Sequence, residues 1–170
     1  MELTKYIRDI HDFPKKGILF KDITPLLLSP EATTEALTQL CAQADGLGVT
    51  KVAAVESRGF FFGSLIAHQL GVGYVPVRKK GKLPYDTISM SYDLEYGTDE
   101  LEIHTDAIKP GDKVLVHDDV LATGGTAEAV VKLIEKAGGQ VVLVSFLMEL
   151  KALEGASKLA GRNVKCLMEF

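Results

Sequence analysis

Asp118 and Asp119 stand a few residues ahead of a Thr123-Gly124-Gly125-Thr126 turn, in the stretch Val114 to Thr126 that reads VLVHDDVLATGGT. Glycine has no Cβ and takes positive φ without strain, so a turn built on two of them can aim its N–H groups at one anion. The threonine hydroxyls add donors. Ala127, Val130, Val131, Leu133 and Ile134 follow at helical spacing, which places a helix N-terminus at the same bend. The turn from Ala122 to Thr126 therefore reads as a phosphate cradle. A bare anion site has no use for two neighbouring carboxylates. A ligand that offers a phosphate to the turn and hydroxyls or a metal to the acids uses both, and a sugar phosphate is such a ligand. The pattern matches neither G-x-x-x-x-G-K-[ST] nor G-x-G-x-x-G. An ordinary strand-to-helix connection would explain the glycines alone, but not the whole constellation.

Two further clusters sit at similar places. Val52 to Val55 is a short apolar run suited to a buried parallel strand, and Glu56-Ser57-Arg58-Gly59-Phe60 follows it. Tyr74 to Val77 is another such run, and RKKGKLP after it holds Arg78, Lys79, Lys80 and Lys82. A charge run is more often a solvated face than a site. Here it directly follows a strand, Gly81 and Pro84 fix its shape, and the rest of the chain is acidic, so the cations suit a diphosphate. An acid and an arginine after a strand sit where α/β folds place ligands, although a local ion pair is the plainer reading.

These clusters need elements to position them. Leu3 to Ile10 has helical spacing but is short, and HDFPKKGILFKDITPLL is irregular yet too apolar to be a free loop. That segment is expected to be packed, either as a hood over a flat apolar ligand or as a loop tethered to the core. Ser29-Pro30 caps a helix that ends near Gly46 to Gly48. A helix through Ile66 and Leu70 stops at Gly71. TISMSYDL and LEIHTD alternate on either side of EYGTDE, which predicts two antiparallel strands projecting from the sheet, as a water-excluding lid or a dimerisation arm. Val141 to Leu147 is a strand, and Val164 to Met168 a last, edge strand. Strands alternating with helices predict an α/β fold, with a mostly parallel central sheet flanked by helices and the loops at 56, 78 and 122 gathered at one sheet edge.

Composition narrows the classes. A chain of 170 residues with 46% hydrophobic content suits one domain over 1–170, and a net charge of −4 argues against broad nucleic-acid affinity. No apolar run reaches a membrane span and MELTKYIRDI lacks a signal-peptide core, so a soluble, cytoplasmic protein is expected. Cys41 and Cys166 have no metal or redox spacing and read as buried free thiols.

VLVHDDVLATGGT resembles the phosphoribosyl-pyrophosphate (PRPP) motif of the type I phosphoribosyltransferases, and FPKKGILFKDITPLL resembles the N-terminal segment of the adenine phosphoribosyltransferases within them. The resemblance covers nearly the whole chain. It implies a type I phosphoribosyltransferase fold with an N-terminal base-binding hood (1–28) and a flexible hairpin or lid (85–106). It implies the reaction of adenine with PRPP, giving AMP and pyrophosphate, in a cytoplasmic homodimer with Mg²⁺ carried by PRPP. Residue by residue, the resemblance implies Leu19 and Lys21 as main-chain adenine contacts and Phe20 as the stacking ring. Glu56, Ser57, Arg58, Arg78, Lys79 and Lys82 fall at the diphosphate, Asp118 and Asp119 at the ribose hydroxyls, and Thr123 to Thr126 at the 5′-phosphate. LEYG matches the mobile-loop motif, which assigns Glu95 and Tyr96 over bound PRPP; Glu95 would handle the purine proton or steady the developing sugar cation. No direct metal ligand is implied beyond a possible outer-shell part for Asp118 and Asp119. FLMELKALEGASKL resembles the family's tail, a helix capped before Gly161. His117 stands where the family carries an apolar residue and reads as a core histidine, while Lys15 and Lys16 add charge to the hood. The alternatives are a phosphoribosyltransferase for xanthine, guanine or orotate, and a non-catalytic PRPP-sensing regulator, which would want an added DNA-binding domain.

Overall fold

The computed structural model describes residues 1–93, Asp93 by its backbone alone, and 98–170. It divides into two compact units, Met1–Gln39 and Leu40–Phe170.

The first unit opens with a 3₁₀ turn, Leu3–Tyr6, followed by β1 (Arg8–His11), which pairs antiparallel with β2 (Leu19–Asp22). The helix expected over Leu3 to Ile10 is therefore replaced by one turn and a strand. A helix this short cannot recover its nucleation cost alone, whereas pairing Arg8 with Asp22 and Ile10 with Phe20 satisfies the backbone of both segments. The connection is held locally: Gly17 N donates to Asp12 Oδ1 at 2.6 Å, Lys21 Nζ meets Asp9 Oδ1 at 2.7 Å, and the Phe13 and Phe20 rings meet edge-on at 5.1 Å. Helix α1 (Thr24–Leu28) carries Pro25 in its first turn. Helix α2 (Pro30–Ala42) is capped as expected, Ala32 N donating to Ser29 Oγ at 3.2 Å.

In the second unit, β3 (Lys51–Val55), β4 (Gly73–Lys79), β7 (Lys113–Leu121), β8 (Gln140–Glu149) and β9 (Val164–Glu169) pair in parallel. The expected hairpin is β5 (Thr87–Asp93) with β6 (Thr98–His104), and it joins the sheet through an antiparallel contact of Arg78 with Glu102 and Lys79 with Leu101. Among the described residues the sheet order is β5-β6-β4-β3-β7-β8-β9.

Side-chain parity sets the two covering layers. Ala53, Val55, Val75, Val77, Val114 and Val116 enter one apolar cluster with Ala127, Val130, Val131 and Ile134 of α4 (Gly125–Lys136). Their neighbour Ala54 faces the other way, against α3 (Gly59–Leu70): a Cβ on Gly63 would lie 2.3 Å from the Ala54 Cβ, so glycine is what lets this helix seat on the sheet. The tail departs from expectation. Phe146 to Glu149 continue β8, all buried, and only short 3₁₀ turns follow at Lys151–Leu153 and Gly155–Leu159. A strand buried on both faces reads as an unbroken apolar run and cannot be told from helix by periodicity. Among the described residues no helix is long and apolar enough to cross a membrane.

Candidate active site

Because β3, β4 and β7 run parallel, their following loops emerge at the same edge of the sheet. Strand β7 carries Asp118 and Asp119 to that edge. Asp119 N donates to Asp118 Oδ1 at 2.8 Å, and Asp119 Oδ2, buried and without a hydrogen bond, lies 3.1 Å from Arg58 Nε. Arg58 can come so near because α3 begins on Gly59, where a Cβ would stand 3.0 Å from Asp118 Oδ1 and 3.1 Å from the His117 carbonyl. Burial, and then the negative charge of Asp119, push the Asp118 carboxyl well above the usual carboxylate range. Burial also raises Asp119, with the Arg58 guanidinium pulling the other way. The pair thus holds protons more tightly than exposed acids do.

Glu56, one residue past β3, accepts from Lys79 N at 2.6 Å and from Arg78 Nε at 3.3 Å, so one carboxylate staples the ESR loop to the start of the cationic loop. Lys79 Nζ lies 2.9 Å from Asp99 Oδ2; the hydrogen bond and charge of Asp99 raise the lysine's pKa, and the same contact lowers that of Asp99. Glu56, Arg58, Lys79, Asp118, Asp119 and Thr126 line one cavity of about 230 Å³, with Tyr92 and Leu101 on its wall.

The glycine turn closes this end of the site. Gly124 has φ +80°, and a Cβ there would meet the Gly155 carbonyl at 2.3 Å; in return, a Cβ on Gly155 would meet the Ala122 carbonyl at 2.1 Å. The turn therefore rests directly on the backbone of the tail, and α4 starts behind it with no side-chain cap on its first amides. Uncapped N–H groups at a helix start are anion donors.

The remaining expected residues fall elsewhere. Arg78 turns to Glu56 and to the Lys82 carbonyl at 3.5 Å, Lys82 and Ser57 are exposed, and Thr123 is exposed on the turn while Gly125 opens α4. Leu19, Phe20 and Lys21 lie on β2 of the N-terminal unit, with Leu19 exposed. Glu95 and Tyr96 lie outside the described residues. His117 is fully buried, as a core histidine should be, but neither ring nitrogen has a well-formed hydrogen bond. Burial drives its pKa down to about 3, against an opposing pull from the Ser145 main chain, so the ring is neutral. Sequence patterning did not reveal Tyr92, Asp99 or Gly155. Each is brought to the site by pairing or packing across the chain, and nothing in its local pattern sets it apart.

A family model described as the phosphoribosyl transferase domain matches residues 23–162. An adenine phosphoribosyltransferase of Flavobacterium johnsoniae is 60% identical over 159 residues, covering 94% of each chain. Among solved structures, the adenine phosphoribosyltransferase of Thermoanaerobacter pseudethanolicus superposes with a TM-score of 0.97 at 51% identity, over 99% of this chain and 98% of that one. The enzyme of Giardia lamblia complexed with 9-deazaadenine superposes with a TM-score of 0.94 at 38% identity, over 99% and 96%.

Proposed function

The chain belongs to the adenine phosphoribosyltransferases of the phosphoribosyltransferase family, and from that premise we propose how its side chains carry out the transfer of the 5-phosphoribosyl group from PRPP to adenine, which gives AMP and pyrophosphate in purine salvage. The observation that carries the assignment is one cavity in which three carboxylates (Glu56, Asp118 and Asp119), an arginine and a lysine converge beside a glycine turn that opens a helix.

Breaking the bond between the ribose C1 and the diphosphate builds positive charge on the sugar and negative charge on the leaving group. The protein groups that help are cations at the diphosphate, carboxylates at the ribose and a cover against water. On this reading the amides and hydroxyls of Ala122 to Thr126 hold the 5′-phosphate, and Asp118 and Asp119 accept from the ribose hydroxyls. Glu56 and Ser57 shape the diphosphate end, and Arg58, Arg78, Lys79 and Lys82 neutralise it. Leu19 and Lys21 offer main-chain groups to the adenine edge and Phe20 its ring face, while Glu95 and Tyr96 belong to the lid. The solved Giardia relative, holding a purine analogue, supports a purine as the acceptor.

Mg²⁺ fits this donor set as a passenger on PRPP. Among the described residues no group of three or more His, Cys, Asp or Glu could hold a metal, whereas Asp118 and Asp119 both line the cavity, with Asp119 Oδ2 buried 3.1 Å from the Arg58 guanidinium. Magnesium commonly binds one or two carboxylates together with substrate phosphates and water. When bound it would supply further charge neutralisation at the diphosphate, with Asp118 and Asp119 holding its outer waters. A homodimer is supported by the exposed apolar side chains Phe61, Leu65 and Tyr74 on α3 and β4. A cytoplasmic location goes with the same reading.

The deciding experiment offers adenine, guanine, hypoxanthine, xanthine and orotate separately, with PRPP and Mg²⁺, and measures nucleotide. AMP should form at least about 100-fold faster than any other product, because a site built to hydrogen-bond one base edge leaves polar groups unpaired with another. Preferential turnover of another base would replace adenine as the substrate, and PRPP binding with no product would favour the sensing role.

A further inference from the structure

We propose that Glu102 is a positioning residue that holds the cationic loop after β4 in its diphosphate-binding shape, an inference that rests on the transferase reading above. Glu102 is only 5% exposed, in the middle of β6. Its neighbours Leu101 and Ile103 enter the apolar cluster with α4, so strand parity turns Glu102 to the opposite face. There the loop folds over it. Glu102 Oε1 accepts from Gly81 N at 3.0 Å and from Leu83 N at 3.4 Å, and Oε2 accepts from Thr87 Oγ1 at 3.2 Å.

A buried carboxylate is costly unless its oxygens are satisfied, and removing its partners leaves that cost uncompensated. Here the partners are the loop itself. Two amides, on either side of Lys82, are tied to one oxygen, Gly81 takes φ +80° to turn toward it, and Lys80 N donates to the Glu100 carbonyl at 3.1 Å next door on β6. At the same register position Arg78 pairs with Glu102 across the strands, and Arg78 in turn donates to the Lys82 carbonyl at 3.5 Å. The shape of the loop that carries Lys82, directly after Lys79 on β4, is thus set by a side chain on another strand. Glu102 need not touch substrate to do this; without it, Gly81 N and Leu83 N lose their acceptor and the loop must find its shape each time a diphosphate arrives.

The test compares Glu102→Ala with Glu102→Gln, which keeps a carbonyl oxygen for the two amides and can donate to Thr87. Amide exchange in the unliganded protein should quicken at Gly81 and Leu83 by about 10-fold or more in the alanine variant and by less than about threefold in the glutamine variant, with the core strands unchanged. In kinetics, Glu102→Ala should raise KM for PRPP by roughly 10-fold while kcat and KM for adenine stay within about threefold, and Glu102→Gln should restore it. Wild-type exchange at Gly81 and Leu83 in the alanine variant overturns the proposal, and so does an unchanged KM for PRPP. If the alanine variant does not fold, Glu102→Leu, which fills the space without an acceptor, takes its place in both measurements. The exchange experiment needs no substrate, so a wild-type protein that makes no AMP would count against the transferase reading while the loop contact is still judged.

Discussion

Gly155→Ala reaches the phosphate turn from behind, at a residue outside the sequence motif. A methyl at this position would lie 2.1 Å from the Ala122 carbonyl oxygen, 2.9 Å from its carbon and 3.0 Å from Gly124 N. All three are main-chain atoms, so no rotamer change relieves the clash. Gly155 is not among the glycines with positive φ, and alanine therefore meets a problem of space alone. Restoring ordinary van der Waals contact requires the turn and the tail to part by roughly 1 Å. Overpacking of this kind costs about 1–3 kcal/mol of stability, or roughly 2–12 °C in Tm for a chain of this size. A binding group misplaced by ~1 Å can cost on the order of 10²-fold. Steady-state assay of AMP formation should accordingly show KM for PRPP raised about 30- to 100-fold, with KM for adenine within about threefold, while thermal unfolding reports a folded protein. Gly161→Ala is the control: its φ is +80° but nothing stands within 4 Å of the new Cβ. It should cost about 1 kcal/mol in backbone strain and leave KM for PRPP alone. A folded Gly155→Ala enzyme with wild-type KM for PRPP would refute the reasoning that this turn grips the substrate in a fixed shape.

Other expectations follow from the same geometry. Asp118→Asn removes a buried acid whose pKa is raised in the folded state; that acid's contribution is present at low pH and lost as pH rises, so the variant should be more stable than wild type at pH 8, the gap closing by pH 4, as thermal melts across pH will show. The same variant should lose PRPP affinity by about 10-fold or more through its ribose contact, measured by calorimetry. His117 has a folded pKa depressed to about 3, so below its unfolded value near 6.5 the unfolded chain takes up a proton that the folded one refuses. Wild type should therefore lose about 1.4 kcal/mol per pH unit relative to His117→Leu between roughly pH 6 and 4, read from denaturant melts. Lys79→Ala should raise KM for PRPP about 10- to 100-fold, whereas Asp99→Asn, which frees that lysine from its 2.9 Å partner, should leave KM unchanged or lower it by about two- to threefold at a stability change below ~1 kcal/mol.

The β7 strand, its acids and the turn after it were legible in the sequence because they are contiguous. An apolar run, two carboxylates and a glycine turn before a helical pattern fix one another's geometry within a few residues. The cations at the end of β4 and just after it were legible for the same reason. Their partners were not. Glu102 belongs to an alternating strand in which nothing marks it from Glu100, and it is found only when β6 is laid against β4. Gly155 looks like any turn glycine until its backbone is seen against Ala122. The N-terminal misassignment has a similar origin: Leu3, Tyr6, Ile7 and Ile10 satisfy helical spacing, but the partner that makes β1 a strand lies in Leu19–Asp22. In the tail, the strand expected over Val141 to Leu147 is present but runs on to Glu149; Phe146, Leu147 and Met148 are all buried, so the run carries no alternation to separate the strand's end from the helix expected there.

The measurement that bears most directly on the site is calorimetric titration of PRPP with Mg²⁺ into the wild type and into Thr123→Val with Gly125→Val. These two changes remove a hydroxyl from the turn and crowd its amides while leaving Asp118, Asp119 and the lysines in place. The double variant, folded by circular dichroism and thermal melt, is expected to bind about 100-fold more weakly, close to 2.7 kcal/mol. Equal affinity in the two folded proteins would contradict the assignment of this turn to the 5′-phosphate.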